Sequence, residues 1–281
     1  MSSYTLLDGT RLAKEREQLL AQKIATTPTK PTLVIIQVGN NKASTKYIDY
    51  KKRCAGRMGA IVHHILLTET TTTEELVTEI QKYNQDASIH GIIIQLPLPP
   101  HCVVHTVLNA VDPKKDVDGM TGENIRLLYE NKSMYIPATS LGILTLLEHY
   151  RIACAGKHVV IVGRSSLVGK PTALALLNND ATVTIAHSKT QDLKTITRTA
   201  DILISATGSA KFINSNHLKA GAIVIDVGIT VTDDGHVVGD VDLHDAQEKV
   251  SAISPVPGGV GPMTIISLFE NLYKAYETNR K

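Results

Sequence analysis

No tryptophan occurs among the 281 residues and only two phenylalanines do, so the chain has few flat side chains on which nucleic-acid bases could stack. An excess of charge of either sign is missing as well. The 29 Lys and Arg against 27 Asp and Glu leave a formal +2, too weak a field to argue for nucleic acid or an anionic membrane surface. No stretch reaches the roughly 18 apolar residues that a membrane-spanning helix needs. The opening MSSYTLLDGTRLAKE lacks the basic-then-apolar order of an export signal. Cysteine is scarce: Cys54, Cys102 and Cys154 are odd in number, far apart and in no C-x-x-C pair, which supports neither a disulfide framework nor a zinc site. These absences make a soluble, cytoplasmic protein acting on small molecules the expectation. No nucleic acid, membrane or metal is expected, and all three cysteines are read as small buried apolar residues.

What is present is enough apolar residue, 43% of the chain, to bury one large or two medium cores, two being the expectation at this length. The most telling stretch is VVIVGRSSLVGKP, from Val159 to Pro171. A β-branched run stops at a glycine and a helix-like pattern follows, which predicts a strand, a tight turn and a helix start. Gly163 permits a backbone conformation closed to other residues, and amides at a helix N-terminus make an anion site. The fingerprint G-x-G-x-x-G is met imperfectly by Gly163, Ser165 and Gly169, and an ordinary strand-turn-helix fits the same residues. The next predicted strand ends in His187, Ser188 and Lys189, where an NAD site usually carries Asp or Glu for the ribose. A hydroxyl and basic groups, with Arg164 in the turn, accept a 2′-phosphate that a carboxylate would repel, so the cofactor expected is NADP.

In chain order, apolar positions at Leu12, Leu19, Leu20 and Ile24 predict a helix, and LVIIQVG from Leu33 to Gly39 a buried strand. A helix from Ser44 to Met58, a strand at 61–67, a helix from Thr73 to Tyr83 opened by TTEE, and a strand in GIIIQLPLP follow. IPATSLGILTLLEHY then predicts a helix, with strands at 181–187, 201–206 and 222–228 after the glycine turn. Such alternation is the pattern of parallel, doubly wound α/β sheets, whose ligands lie beyond the carboxyl ends of the strands. In the final segment Ile265, Ile266, Phe269, Leu272, Tyr273 and Tyr276 share one helical face. A helix with such a face requires a surface to cover. The expected domains are 1–137, completed by a helix at 262–281, and a nucleotide-binding domain at 138–261.

Three further groups invite chemistry. Tyr47 and Lys51 stand four apart, on one helical face, with Ser44 placed to cap the helix and face the same way. A lysine acts as a base near neutrality only when burial or neighbours lower its pKa by about 3 units from roughly 10.4, a cost of about 4 kcal/mol. Spacing alone favours the plainer arrangement, a surface helix with Lys51 solvated. Gln95 interrupts an apolar strand, where it can be satisfied by loop backbone or can face a cleft. Asp116 and Asp118 precede Gly119 in a loop, where Asx turns are the ordinary explanation and a grip on the N–H groups of a heterocycle the sharper one. The loop PVPGGVGP is either a stiff start to the last helix or a backbone surface for a flat ligand.

Together VGNNKASTKYIDYKK, GIIIQLPLP, PKKDVDG, VVIVGRSSLVGKP, TVTIAHSKT, VIDVGI, GDVD and PVPGGVGPMT resemble, in order and spacing, the bifunctional methylenetetrahydrofolate dehydrogenase and methenyltetrahydrofolate cyclohydrolase family. The resemblance implies two α/β domains flanking a cleft, the second a Rossmann-like NADP domain, and a last helix returning to the first. It implies oxidation of 5,10-methylene- to 5,10-methenyltetrahydrofolate and hydrolysis to the 10-formyl compound, within one-carbon metabolism and purine biosynthesis, by a cytoplasmic homodimer. Lys51 is then the principal cyclohydrolase residue, with Tyr47, Gln95 and Asp118 around it and the folate. Gly163, Arg164, Ser165, Ser188 and Ile229 match cofactor contacts, and Pro257, Gly258 and Gly259 a loop beside the folate. The chain departs from the family's P-C-T-P-x-G at Pro137, where Ala138, Thr139, Ser140, Leu141 and Gly142 follow. The competing readings are an NADP dehydrogenase of another small substrate, laid out like a shikimate-type reductase, and an inactive binding homologue.

Overall fold

The computed structural model describes residues 4–232 and 234–278. The predicted strand-helix alternation is present, and the elements run β1 (Thr5–Leu6), α1 (Gly9–Ala25), β2 (Thr32–Val38), α2 (Lys42–Met58), β3 (Ile61–Leu67), α3 (Thr73–Gln85) and β4 (Gly91–Ile94). Next come α4 (Val104–Asn109), α5 (Gly122–Tyr129), α6 (Ala138–His149), β5 (His158–Val162), α7 (Gly169–Leu177), β6 (Thr182–Ala186), α8 (Leu193–Thr197) and β7 (Ile202–Ser205). The chain closes with β8 (Ala222–Asp226), β9 (Thr230–Val231), β10 (Val237–Val238), α9 (Leu243–Ala246), β11 (Val250–Ile253) and α10 (Val260–Thr278). Of the expected last helix, residues 279–281 lie outside the described residues.

Two compact units result. One joins the N-terminal residues through Lys14 to Thr139–Thr264, the other Glu15–Ala138 to the chain from Ile265 onward. The last helix thus belongs mostly with the lysine-bearing part of the chain. The grouping of the first fourteen residues differs from the expected domain 1–137, because β1 pairs in parallel with β11, Thr5 opposite Ala252 and Leu6 opposite Ile253.

In the Glu15–Ala138 unit three parallel strands lie in the order β3-β2-β4. The apolar run TLVIIQV is buried at every position, as a central strand must be, whereas β3 alternates in exposure as an edge strand does. Val34, Ile36 and Val38 form a core with Leu76 and Ile80 of α3 and with Ile92 and Ile94 of β4. Helix α3 starts where TTEE predicts, in a reciprocal cap between Thr72 and Glu75. Helix α10 closes on β4 where Gly91 has no side chain, since a Cβ there would lie 2.8 Å from both Leu272 and Val117. On α10 Ile265, Ile266, Phe269, Leu272 and Tyr276 are buried and Tyr273 stands partly out. On α1 Leu12, Leu20 and Ile24 are buried, but Leu19 turns to solvent.

In the other unit six parallel strands follow the order β1-β11-β8-β7-β5-β6. The chain passes from β5 to β6 on one side and then to β7 on the other. The order therefore reverses at β5, and the crevice beyond β5 and β7 is where such sheets take ligands. Val160, Val162, Leu203 and Val224 carry the core of this sheet. Where the family places cysteine and proline after Pro137, α6 begins at Ala138, and the buried Ser140 hydroxyl shares a 3.0 Å hydrogen bond with that of Thr172. Cys54 and Cys102 are buried and Cys154 is only partly so, correcting the expectation of three buried thiols.

Candidate active site

Helix α2 begins two residues earlier than expected. Asn41, not Ser44, caps it: the Asn41 side chain accepts the amide of Ser44, and Gly59 at φ 81° ends the helix. Ser44 is instead part of the buried stripe Ser44, Ile48, Lys51, Cys54, Ala55 and Met58, and its hydroxyl donates to the carbonyl of Leu96 at 3.3 Å. A lysine in such a stripe is carried inside by its neighbours, and Lys51 is 6% exposed. The surface-helix alternative is excluded.

The Lys51 amine donates to Gln95 Oε1 at 3.2 Å and lies 4.7 Å from the centre of the Tyr47 ring. Strand β4 stops one residue short of Gln95, whose own amide N–H donates to the Leu96 carbonyl at 2.8 Å and so aims its oxygen at the amine. Burial lowers the lysine pKa, against the pull of the Asp118 carboxylate. Burial likewise raises the Asp118 carboxyl, opposed by Lys51 and reinforced by Asp116. The Tyr47 phenol is raised by burial and then by Asp118, and so keeps its proton. The four residues singled out from the sequence therefore form one electrostatic group: an amine whose pKa is lowered by burial beside an acid, an amide and a phenol.

The Asp118 loop is fixed by residues that spacing does not reveal. Asp116 makes no Asx turn with its near neighbours; its carboxylate accepts the Thr121 amide at 2.7 Å and the Asn124 side chain at 2.8 Å. Gly119 has φ 71°, and a Cβ there would come within 3.0 Å of Pro137. Asn271 of α10, 4% exposed, donates to the carbonyls of Val117 at 2.9 Å and Ile136 at 3.0 Å. Nothing in the period of the last helix marks that asparagine out.

In the six-stranded unit the predicted cofactor residues stand at the carboxyl ends of three strands. Ser188 follows β6, Gly163–Ser165 follow β5 and Ile229 follows β8, and Ala206, which the sequence did not single out, follows β7 between them. Gly163 has φ 135°, and a Cβ would sit 2.3 Å from the Ala206 carbonyl oxygen; a Cβ on Gly169 would sit 2.2 Å from the Gly163 oxygen. Only glycines allow the turn and helix to approach so closely. The sequence led us to expect helix-start amides free for an anion, and several of them are instead already engaged. Those of Val168 and Gly169 donate to Ser165 Oγ at 3.1 and 3.4 Å, and that of Lys170 to the Ser165 carbonyl. Arg164, Ser165, Ser188, Lys189 and Ile229 are exposed. Pro257, Gly258 and Gly259 lie in this unit rather than with Lys51, the Gly258 carbonyl accepting the Thr10 amide at 2.9 Å.

A parallel sheet with its order reversed beside a glycine turn, together with a second α/β unit holding a buried lysine, defines a dinucleotide-linked enzyme of two α/β units. The chain belongs to the tetrahydrofolate dehydrogenase/cyclohydrolase family: the family's catalytic-domain model matches residues 7–118 and its NAD(P)-binding-domain model residues 137–280. It is 46% identical over 274 residues to the bifunctional protein FolD of Streptococcus thermophilus, covering 96% of each chain. Among solved structures it resembles the bifunctional FolD of Campylobacter jejuni, with a TM-score of 0.95 and 40% identity over 98% of this chain and 100% of that one. It also resembles the Trypanosoma brucei FolD solved with NADP cofactor and inhibitor, with a TM-score of 0.95 and 33% identity over the whole of both chains.

Proposed function

We propose that this protein oxidises 5,10-methylenetetrahydrofolate to 5,10-methenyltetrahydrofolate with NADP and hydrolyses the product to 10-formyltetrahydrofolate. The observation that carries the proposal is the buried Lys51 amine, on Gln95 at 3.2 Å and over Tyr47, with its pKa lowered by burial. Hydrolysis of a methenyl bridge needs a group that takes a proton and gives it back. As water attacks the bridge carbon, neutral Lys51 accepts one of its two protons; as the ring opens, the ammonium returns that proton to the departing nitrogen while the carbinol oxygen loses the other to solvent and becomes the formyl carbonyl, so that one proton is released overall. Gln95 holds the amine in place through both transfers. Tyr47 keeps its proton and orders the folate, and Asp118 accepts hydrogen bonds from the pterin.

The oxidation asks less of the side chains, because the nitrogen lone pair of the substrate drives hydride loss and alignment is the remaining requirement. Bound NADP supplies the hydride acceptor. The residues present fit it: Gly163 and Gly169 bring backbone close, and the Ser165 oxygen already accepts two amides, leaving its O–H to donate. Arg164, Ser188 and Lys189 are exposed beside the turn, with no carboxylate at the end of β6, which favours a 2′-phosphate and hence NADP over NAD. Ile229, 61% exposed, flanks the nicotinamide end, and Pro257, Gly258 and Gly259 the folate. We assign folate chemistry to the stretch 1–137 with the last helix and the nucleotide to 138–261. The protein works as a cytoplasmic homodimer in one-carbon metabolism supporting purine biosynthesis.

The purified protein, given methylenetetrahydrofolate and each nucleotide in turn, reduces NADP in preference to NAD and accumulates the formyl product; reduction of neither nucleotide would falsify the proposal. Lys51→Ala loses hydrolysis by about 10²-fold or more and keeps most of the hydride step. Full hydrolysis by that variant removes Lys51 from its role, and light scattering that gives a monomer mass removes the homodimer.

A further inference from the structure

Two carboxylates of the six-stranded unit take no part in the chemistry above, yet both are buried, Asp226 at 3% and Asp240 at 0% exposure. Every hydrogen bond recorded to them comes from a backbone amide or a serine hydroxyl, and none from a cation among the described residues. Asp226, at the end of β8, accepts the amides of Gly228 at 2.9 Å, Asp240 at 3.0 Å and Val241 at 2.9 Å. Asp240 in turn accepts the amides of Thr207 at 2.6 Å and Ser209 at 2.9 Å and the hydroxyl of Ser205 at 3.1 Å. The two acids act in series: the first holds the backbone of the second, and the second holds the loop after β7.

The glycines beside them complete the arrangement. A Cβ on Gly228 would lie 2.1 Å from the Asp240 carboxylate, and one on Gly239 would lie 2.0 Å from that of Asp226. Each acid therefore occupies the space of the glycine that neighbours the other acid. That crossing places the D-V-G of 226–228 against the G-D of 239–240. Burying two carboxylates without a cation is unfavourable, and burial followed by the neighbouring Asp240 charge raises Asp226 to about 6. A single loop of ordinary fold purpose is held more cheaply by backbone pairing. The loop that Asp240 holds begins at Ala206, whose carbonyl packs against Gly163 at the reversal of strand order.

We propose that Asp240 is a positioning residue for the dinucleotide: it fixes the Ala206–Ser209 loop against the Gly163 turn, and Asp226 anchors it there. The proposal rests on the nucleotide-binding function proposed above. Asp240→Asn places an amide N–H against a backbone N–H of Thr207 or Ser209 and frees the loop. Ser205→Ala removes one of the three bonds at small steric cost. Asp242→Asn, which alters only the cap of α9, serves as a neighbouring carboxylate outside the network.

The test is titration of NADP into the full chain, with cooperative thermal unfolding as the fold control for each variant. The dissociation constant rises about tenfold in Asp240→Asn, as expected for a lost charge-assisted bond, and about two- to threefold in Ser205→Ala. It stays unchanged in Asp242→Asn. The apparent KM for NADP rises in step with these changes, with kcat changing less. An unchanged constant in folded Asp240→Asn overturns the proposal, as does an equal rise in Asp242→Asn. If Asp240→Asn does not fold, an unchanged constant in Ser205→Ala overturns it. Failure of the unaltered chain to bind NADP counts against the proposed function and not against the clamp.

Discussion

A lysine on the apolar stripe of a helix loses the water that would otherwise hold its proton. Lys51 is such a residue, and its compensation is partial: one amide oxygen at 3.2 Å, a ring face at 4.7 Å and the field of Asp118. The sign of the pH dependence follows. The folded value lies below the ordinary 10.5, so the charged form is unfavourable in the fold, and that cost is relieved as pH rises through the lowered value. The amine is the base, so hydrolysis rises with pH along a limb centred below 10.5 and levels once the amine is neutral. Measured kcat profiles of both activities check this; the limb belongs to hydrolysis and is absent from what hydrolysis remains in Lys51→Ala. A limb that survives the substitution reports a different group.

At the scale of elements, α10 acts on the site through Asn271, which spans 154 residues of sequence to hold the carbonyl of Val117, next to Asp118. Asn271→Leu keeps the bulk and removes both donors, leaving one buried and one half-buried carbonyl without their partner. Urea unfolding shows a loss of about 2 kcal/mol, and KM for the folate substrate rises more than KM for NADP, because the loosened loop carries Asp118. Equal changes in both constants would make Asn271 a general support only. Elements of this chain differ in how plainly the sequence announces them. The runs LVIIQV, VVIV and AIVID are β-branched and apolar, which marks central parallel strands, and each is one. Strand β1 has only two residues, too few for a period to emerge, and β11 carries a serine in its four, so the two strands at one end of the six-stranded sheet are unmarked. The site shows the same divide. Tyr47 and Lys51 share a helical face and are legible as a pair, but the stripe that buries them depends on what covers it. Asp116, Asn271 and Asp240 act on partners that only the folded chain brings near, and no spacing rule reaches them.

On the scale of the molecule, the division into units cuts through α1, α6 and α10 rather than between elements. Neither half of the sequence contains a whole unit. A fragment ending at residue 138 lacks Leu268, Phe269, Leu272 and Tyr276, all at most 2% exposed in the intact chain, and a fragment starting at residue 139 lacks strand β1. Deleting that much buried apolar surface removes several kcal/mol from a margin that is itself about 5–15 kcal/mol. Circular dichroism and thermal melting of the separate fragments therefore show no cooperative transition for 1–138 and a weakened one for 139–281. A sharp native-like melt from 1–138 alone contradicts the assignment of the last helix to that unit.

Many chains of two domains complete the first while the second is still being made. The membership of α10 denies this one that order. The lysine-bearing unit waits for residues from Ile265 onward, and the nucleotide-binding unit for those up to Thr264, so neither is complete until α10 is being made. Until then the nascent chain leaves bare the side of β4 at Gly91 that Leu272 of α10 covers in the finished fold.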